Sequence, residues 1–405
     1  MNNTQENTDV KIFNMTLPIM SLLNGYAFVF MRGFSLAMII ATVFAVYSTI
    51  VFMNKKMALT SGQLFGFIIY AFISTTLTVL VGSVMNTSRI IFTLLKLCVW
   101  GCYVTFGGKL FFNYKLFITY AQKVMVVTFI YLLFQYFAHY AIHLNLPASF
   151  NLGLIKANYE NYEIVYQASN AVFRPGSLWT EPGYLGYYYT GFLSICLFGN
   201  NPGNLIKNKR MYILISCVGI MLSVSTGAMG IMIILLILKM VAGKGGKSFV
   251  IILLSIAALA IFACILLQSD LLNNLKGLNS SFDNTIYKLQ HLDTEGRVGG
   301  SFEYVKLMNL PQRIFGVGVG NELAITDYTY FNGIVTLIIW IGYAGVLAWG
   351  LAFFKILRRS QTTLQRIMMV VFLIDGLYAS IFFGAHSFIY LIFMLYYGSV
   401  KSKEK

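Results

Sequence analysis

Apolar runs of about 20 residues recur along almost the whole chain, broken by polar stretches of uneven length. A helix rises about 1.5 Å per residue, so such a run matches the roughly 30 Å hydrocarbon core of a bilayer. The pattern predicts helices at 15–31, 34–53, 62–82, 90–107, 116–142, 182–199, 211–224, 226–241, 248–268, 329–356, 365–383 and 386–400. Nothing shows the short alternating segments of a transmembrane barrel. The expected fold is an all-α polytopic membrane protein of about 12 transmembrane helices, one integral domain over 1–405 with no separate soluble domain.

The polar breaks carry the next information. Two are long, roughly 143–181 and 269–328, too long to be mere connectors in a compact fold. Placing the N-terminus in the cytoplasm puts the basic groups Lys55–Lys56, Lys207 to Arg210, Lys239 to Lys247 and Lys355 to Arg366 on the inside, as the positive-inside rule requires. Both long segments then face outward, and the chemistry is expected there.

Composition agrees with this reading. The chain is 58% hydrophobic and only 11% charged, against about 25% charged in soluble domains. The net charge of +15 is accounted for by the inner loops and does not call for nucleic acid. The five cysteines, Cys98, Cys102, Cys196, Cys217 and Cys264, fall in apolar runs and read as small core residues. The polar start MNNTQENTDVK lacks the basic region and cleavage site of a removable signal.

The stretch Phe173–Thr190, FRPGSLWTEPGYLGYYYT, concentrates unusual residues at the entrance to an apolar helix. Its two X-Pro steps, Arg174-Pro175 and Glu181-Pro182, disfavour helix and predict a rigid hairpin ending at the first turn of the next helix. Arg174 and Glu181 either brace that hairpin as a salt bridge or form a site for a phosphorylated substrate, with the planar guanidinium on phosphate oxygens. Trp179 with Tyr187, Tyr188 and Tyr189 is either an interfacial aromatic belt or a sugar-stacking surface.

Other polar constellations fall around this one. Arg297, Lys306 and Arg313 lie in the second long loop, solvated or facing an anionic ligand. The run Gly316-Val317-Gly318-Val319-Gly320 is either a flexible turn or a backbone cradle for phosphate. Gln135, His139 and His143 recur every four residues on one face of helix 116–142, more in keeping with a polar lining than with zinc. Ser223 to Gly227 interrupts an apolar stretch as a tight turn or a cavity wall, and His386 opens the last helix as a buried group or a base. Lys96 and Asp375 lie within spans, where charges seek partners, and pairing with each other is one solution.

The Arg-Pro-Gly stretch followed by Trp179-Thr180-Glu181-Pro182, the Ser225-Thr226-Gly227 turn, Arg297, and Phe315 to Asn321 occur in an order that resembles Wzy-type oligosaccharide repeat-unit polymerases, such as O-antigen or capsule polymerases, related to the O-antigen ligases. The likeness is residue-specific over roughly 173–191, 222–230 and 297–321, and an arginine-x10-glycine pattern of some members is not met from Arg174 or Arg297. It implies a GT-C-like, metal- and cofactor-independent glycosyltransferase in the inner membrane of a bacterium, active on the periplasmic face. The partners implied are undecaprenyl-diphosphate-linked oligosaccharides, membrane lipid and, in some systems, a polysaccharide chain-length regulator. Arg174 and Arg297 would then neutralise the diphosphate, with Arg313 in reserve. Glu181 or His386 would take the acceptor proton, and Trp179, Tyr187, Tyr188, Gly316, Gly318 and Gly320 would contact substrate. The alternatives are a ligase acting on a lipid A core and a polysaccharide or solute transporter.

Overall fold

In a computed structural model, residues 3–31, 34–56, 62–81, 86–147, 150, 153–157, 173–201, 204–242, 299–327, 331–379 and 381–403 are described. They are mostly helical, with two strands of three residues at Tyr26–Phe28 and Ile155–Ala157. The expected helix 248–268, together with Cys264 and Arg297, lies outside the described residues. The chain forms two compact units, one from Met1–Ala121 with His291–Lys405, the other from Gln122–Gln290.

The first unit contains α1 (Asn3–Thr16), α2 (Met20–Leu23), α3 (Leu36–Asn54), α4 (Gly62–Val81) and α5 (Thr87–Phe111). Helix α6 (Tyr114–Ala141) starts in it and continues into the second. The second unit adds α7 (Pro182–Phe198), α8 (Lys209–Leu222) and α9 (Thr226–Ala242). The first is completed by α10 (Gly299–Lys306), α11 (Leu310–Phe315), α12 (Gly333–Arg359), α13 (Thr363–Tyr378) and α14 (Phe388–Lys403).

Helix starts follow side-chain capping. Ser35, Asn86 and Asn332 each accept a bond from a backbone N–H three residues on, at 3.3, 3.0 and 2.8 Å. Asn309 with Gln312 and Thr362 with Gln365 form reciprocal capping boxes.

Four helices, α3, α5, α6 and α12, are long and apolar enough to cross a membrane. Their outward faces are apolar. Val43, Val46, Ile50 and Met53 on α3, and Leu347, Leu351 and Phe354 on α12, are exposed at helical spacing. Stripes of this kind suit contact with lipid rather than water.

The expected helix 15–31 is corrected. Helix forms earlier, from Asn3, and gives way after Leu23 to the strand at Tyr26–Phe28. The reason is tertiary. This segment runs antiparallel to α3, with Tyr47 donating to Asp9 at 2.6 Å, Phe13 packed edge-on against Phe44, and Ser35 donating to Asn24 at 3.1 Å. Buried Asn14 donates to the Phe111 carbonyl and accepts from Asn113 N, which satisfies the turn between α5 and α6. Polar residues that hydropathy discounts thus hold this helix in place.

Helix α12 is broken at Gly342, whose φ of 66° and ψ of −177° lie outside helical space. The break frees carbonyls, and the glycine run takes them up. Val317 N donates to Ile339 O at 2.8 Å and Gly318 N to Trp340 O at 3.0 Å. Irregular backbone at membrane depth is tolerated where protein satisfies it, as here.

Candidate functional site

In the second unit the Phe173–Glu181 hairpin is held against α6. Ser177, at φ +55°, donates its hydroxyl to Thr128 O at 2.6 Å, and its carbonyl accepts from Gln135 Nε2 at 3.1 Å. Trp179 N closes the turn on Gly176 O at 2.9 Å, and a Cβ on Gly176 would stand 2.3 Å from the Trp179 carbonyl. Phe173 stacks on His139 with ring centroids 3.9 Å apart. Pro182 takes the first turn of α7, as its X-Pro step predicts.

Arg174 and Glu181 are both half-buried on this hairpin, and both have interaction partners. The Nε of Arg174 is fully enclosed, and the residue lies within electrostatic reach of Tyr136, whose hydroxyl donates to Leu222 O at 2.5 Å. Glu181 is the N-cap residue of α7, in extended geometry, yet its carboxylate makes no capping bond. A cation and an anion are therefore placed by prolines, a left-handed serine and two α6 side chains.

The aromatic residues differ from an exposed belt or an open stacking surface. Trp179, Tyr187 and Tyr188 are buried, with Trp179 and Tyr188 rings 5.0 Å apart. They sit inside because glycines let helices close in. A Cβ on Gly186 would stand 2.6 Å from that of Ala228, and one on Gly219 would enter the Tyr189 ring. Gln135 Oε1 and the Tyr188 hydroxyl are buried here with no hydrogen-bond partner among the described residues.

The expected face of Gln135, His139 and His143 is corrected. Helix α6 ends at Ala141, and His143 lies beyond it, exposed and at φ +56°. His139 Nδ1 bonds to Asn145 Oδ1 at 2.6 Å. Among the described residues no three His, Cys, Asp or Glu side chains converge on a metal position. Ser223 to Thr226 is a tight turn between α8 and α9, with Val224 at φ +49° and the Ser223 hydroxyl donating to Ile220 O at 2.7 Å.

In the first unit the glycine run is neither loose nor open. Gly316, Gly318 and Gly320 are buried, with φ of 83°, 98° and 81°. Besides the two bonds to α12, Gly316 N donates to Gln312 O, Val319 N to Thr75 Oγ1 and Asn321 N to Gly318 O. Those N–H groups are used internally, which leaves them unsuited to cradling phosphate. Arg313 turns back on its own segment, donating to Met308 O and Lys306 O at 2.8 Å each, where it satisfies the end of α10.

His386 is buried. Its Nδ1 contacts Ser21 Oγ at 2.7 Å and its Nε2 contacts Asn24 Nδ2 at 3.1 Å. Both ring nitrogens are thus engaged with the N-terminal segment, and the buried-histidine reading applies. The expected Lys96–Asp375 pair is also corrected. Lys96 lies over the Phe34 ring at 5.6 Å, while Asp375 is fully buried on α13 with Tyr390 as its polar neighbour.

Sequence reasoning passed over one polar group. Arg89 donates to Glu322 Oε1 at 2.5 Å, and Glu322 Oε2 accepts from Trp340 Nε1 at 3.1 Å. The available signal was a glutamate directly after the Gly316–Asn321 run, in a chain with only 14 acidic residues.

No protein-family model matches this chain, and no curated protein matches it.

Proposed function

We propose that the protein is a glycosyltransferase that joins lipid-diphosphate-linked oligosaccharide repeat units into a polysaccharide, with its active site on the hairpin before α7. This reading rests on the resemblance of the motifs and on one structural observation: Arg174 and Glu181 are held half-buried on a braced hairpin at a helix N-terminus. The topology that accompanies it has about 12 spans in the inner membrane of a bacterium and the hairpin facing the periplasm.

In the reaction, an acceptor hydroxyl attacks the anomeric carbon of the donor. The new glycosidic C–O bond forms as the bond to the diphosphate breaks, and the diphosphate leaves with both electrons. Arg174 neutralises the charge that grows on it, best done by a fixed cation in a partly dry site. Glu181, whose carboxylate is not spent on capping, takes the acceptor proton. Arg297 is the second diphosphate cation of the proposal. His386 and the glycine run are assigned supporting roles, because their hydrogen-bonding groups are engaged within the fold.

A transporter is the second reading, favoured by the broken helix at Gly342, since transporters bind substrate at such breaks. The freed carbonyls of Ile339 and Trp340 are consumed by the glycine run, which weighs against it. Purified protein incubated with a lipid-linked repeat unit should give a ladder of polymer and release lipid diphosphate. Uptake of free solute into vesicles without a ladder would establish the transporter.

A further inference from the structure

We infer that Arg89 and Lys96 on α5 form a binding site for the phosphate of an anionic membrane lipid. The inference is independent of the glycosyltransferase reading. The two cations are seven residues apart, about two helical turns and roughly 10 Å along one helix face. Two like charges on one face of a membrane helix raise each other's energy unless an anion is shared between them.

The protein supplies only part of that anion. Glu322 binds one guanidinium nitrogen of Arg89 through Oε1, and its other oxygen is taken by Trp340. Arg89 keeps about a third of its side chain exposed. Lys96 lies over the Phe34 ring and has no carboxylate within salt-bridge distance among the described residues. The one carboxylate present pairs with Arg89 and leaves Lys96 uncompensated, so the two cations keep a net positive charge.

The occupant follows from depth and surroundings. Phe34, which Lys96 covers, lies just before Ser35, the cap that starts α3. Lys96 is therefore level with one end of a 19-residue span, and Arg89 stands further out on the longer α5. That is the zone of lipid headgroups. Ile91, Phe92 and Leu95, which lie between the two cations on α5, are about half exposed and offer hydrocarbon contact beside the charges. A phosphate carried on a lipid tail meets both features, whereas a free phosphate ion meets only the first.

The test uses the full chain purified in a neutral detergent, with bound lipid counted by native mass spectrometry. Phosphatidylglycerol should be retained in preference to phosphatidylcholine. Lys96→Gln and Arg89→Gln should each weaken that preference by about ten- to hundred-fold, the worth of one charge-assisted bond. Lys96→Arg should keep it. Because Arg89→Gln leaves Glu322 without its cation and can lower folding, Lys96→Gln alone decides the matter. Undiminished phosphatidylglycerol preference in well-folded Lys96→Gln protein would overturn the inference. So would displacement of the lipid by millimolar inorganic phosphate, which would mark a site for the free ion.

Discussion

Gly316 and Gly342 meet each other's neighbourhoods at a distance no other residue permits. A Cβ on Gly316 would stand 2.3 Å from the Trp340 carbonyl oxygen, and one on Gly342 would stand 2.2 Å from that of Ile314. Both have positive φ with ψ near 180°, a region open essentially to glycine. Gly316→Ala or Gly342→Ala should destabilise the protein by about 2–5 kcal/mol, combining backbone strain with overlap. Gly350→Ala, on the same helix with no atom within 4 Å of the added carbon, should change the melting temperature in detergent little. Equal melting temperatures for all three would refute the interlock. His386 makes a second case at this scale. Its bonds to Ser21 and Asn24 tie the turn before α14 to the N-terminal segment, so His386→Ala should lower the amount of folded protein while turnover per folded molecule stays near wild type. A normal protein level with turnover abolished would instead assign His386 to the chemistry.

At the scale of elements, the helix bounds of α3, α4, α6 and α7 were legible to within a few residues, because apolar length and the Pro182 start are local signals. The N-terminal helix was not, since Asp9 and Asn14 are stabilised by partners on α3 and at the end of α5 that no local pattern reveals. The break at Gly342 was equally hidden, because a glycine in an apolar run reads as filler until the Gly316–Gly320 backbone is seen to bond to it. The hairpin was visible through its prolines, but its anchor was not. Gln135 read as part of a histidine face, whereas it donates to Ser177 O and Pro147 O across the loop. Gln135→Leu removes both donors and should cost about 1–3 kcal/mol locally. Hydrogen exchange should then rise over 173–181, with lower turnover at unchanged protein level. Unaltered exchange in that segment would show that α6 does not hold the hairpin.

For the whole molecule, the membrane reading is carried by four long apolar helices and their exposed aliphatic stripes, while the orientation rests on loop charge. Cysteines introduced at Ala148 and Ser281 should react with impermeant reagent from outside intact cells, and those at Lys244 and Arg358 only after the membrane is opened. Labelling of position 281 from the cytoplasmic side alone would move the proposed site to the wrong face. The central claim concerns Arg174, and one measurement tests it most directly: polymer formation by purified protein from a lipid-linked repeat unit. Wild type should give a ladder and released lipid diphosphate. Arg174→Ala should lose about ten- to several-hundred-fold in rate, the value of a charge-assisted bond strengthened in the transition state. Arg174→Lys should stay impaired, because it keeps the charge and loses the planar fork. An undiminished ladder from well-folded Arg174→Ala, Arg297→Ala protein would contradict the account.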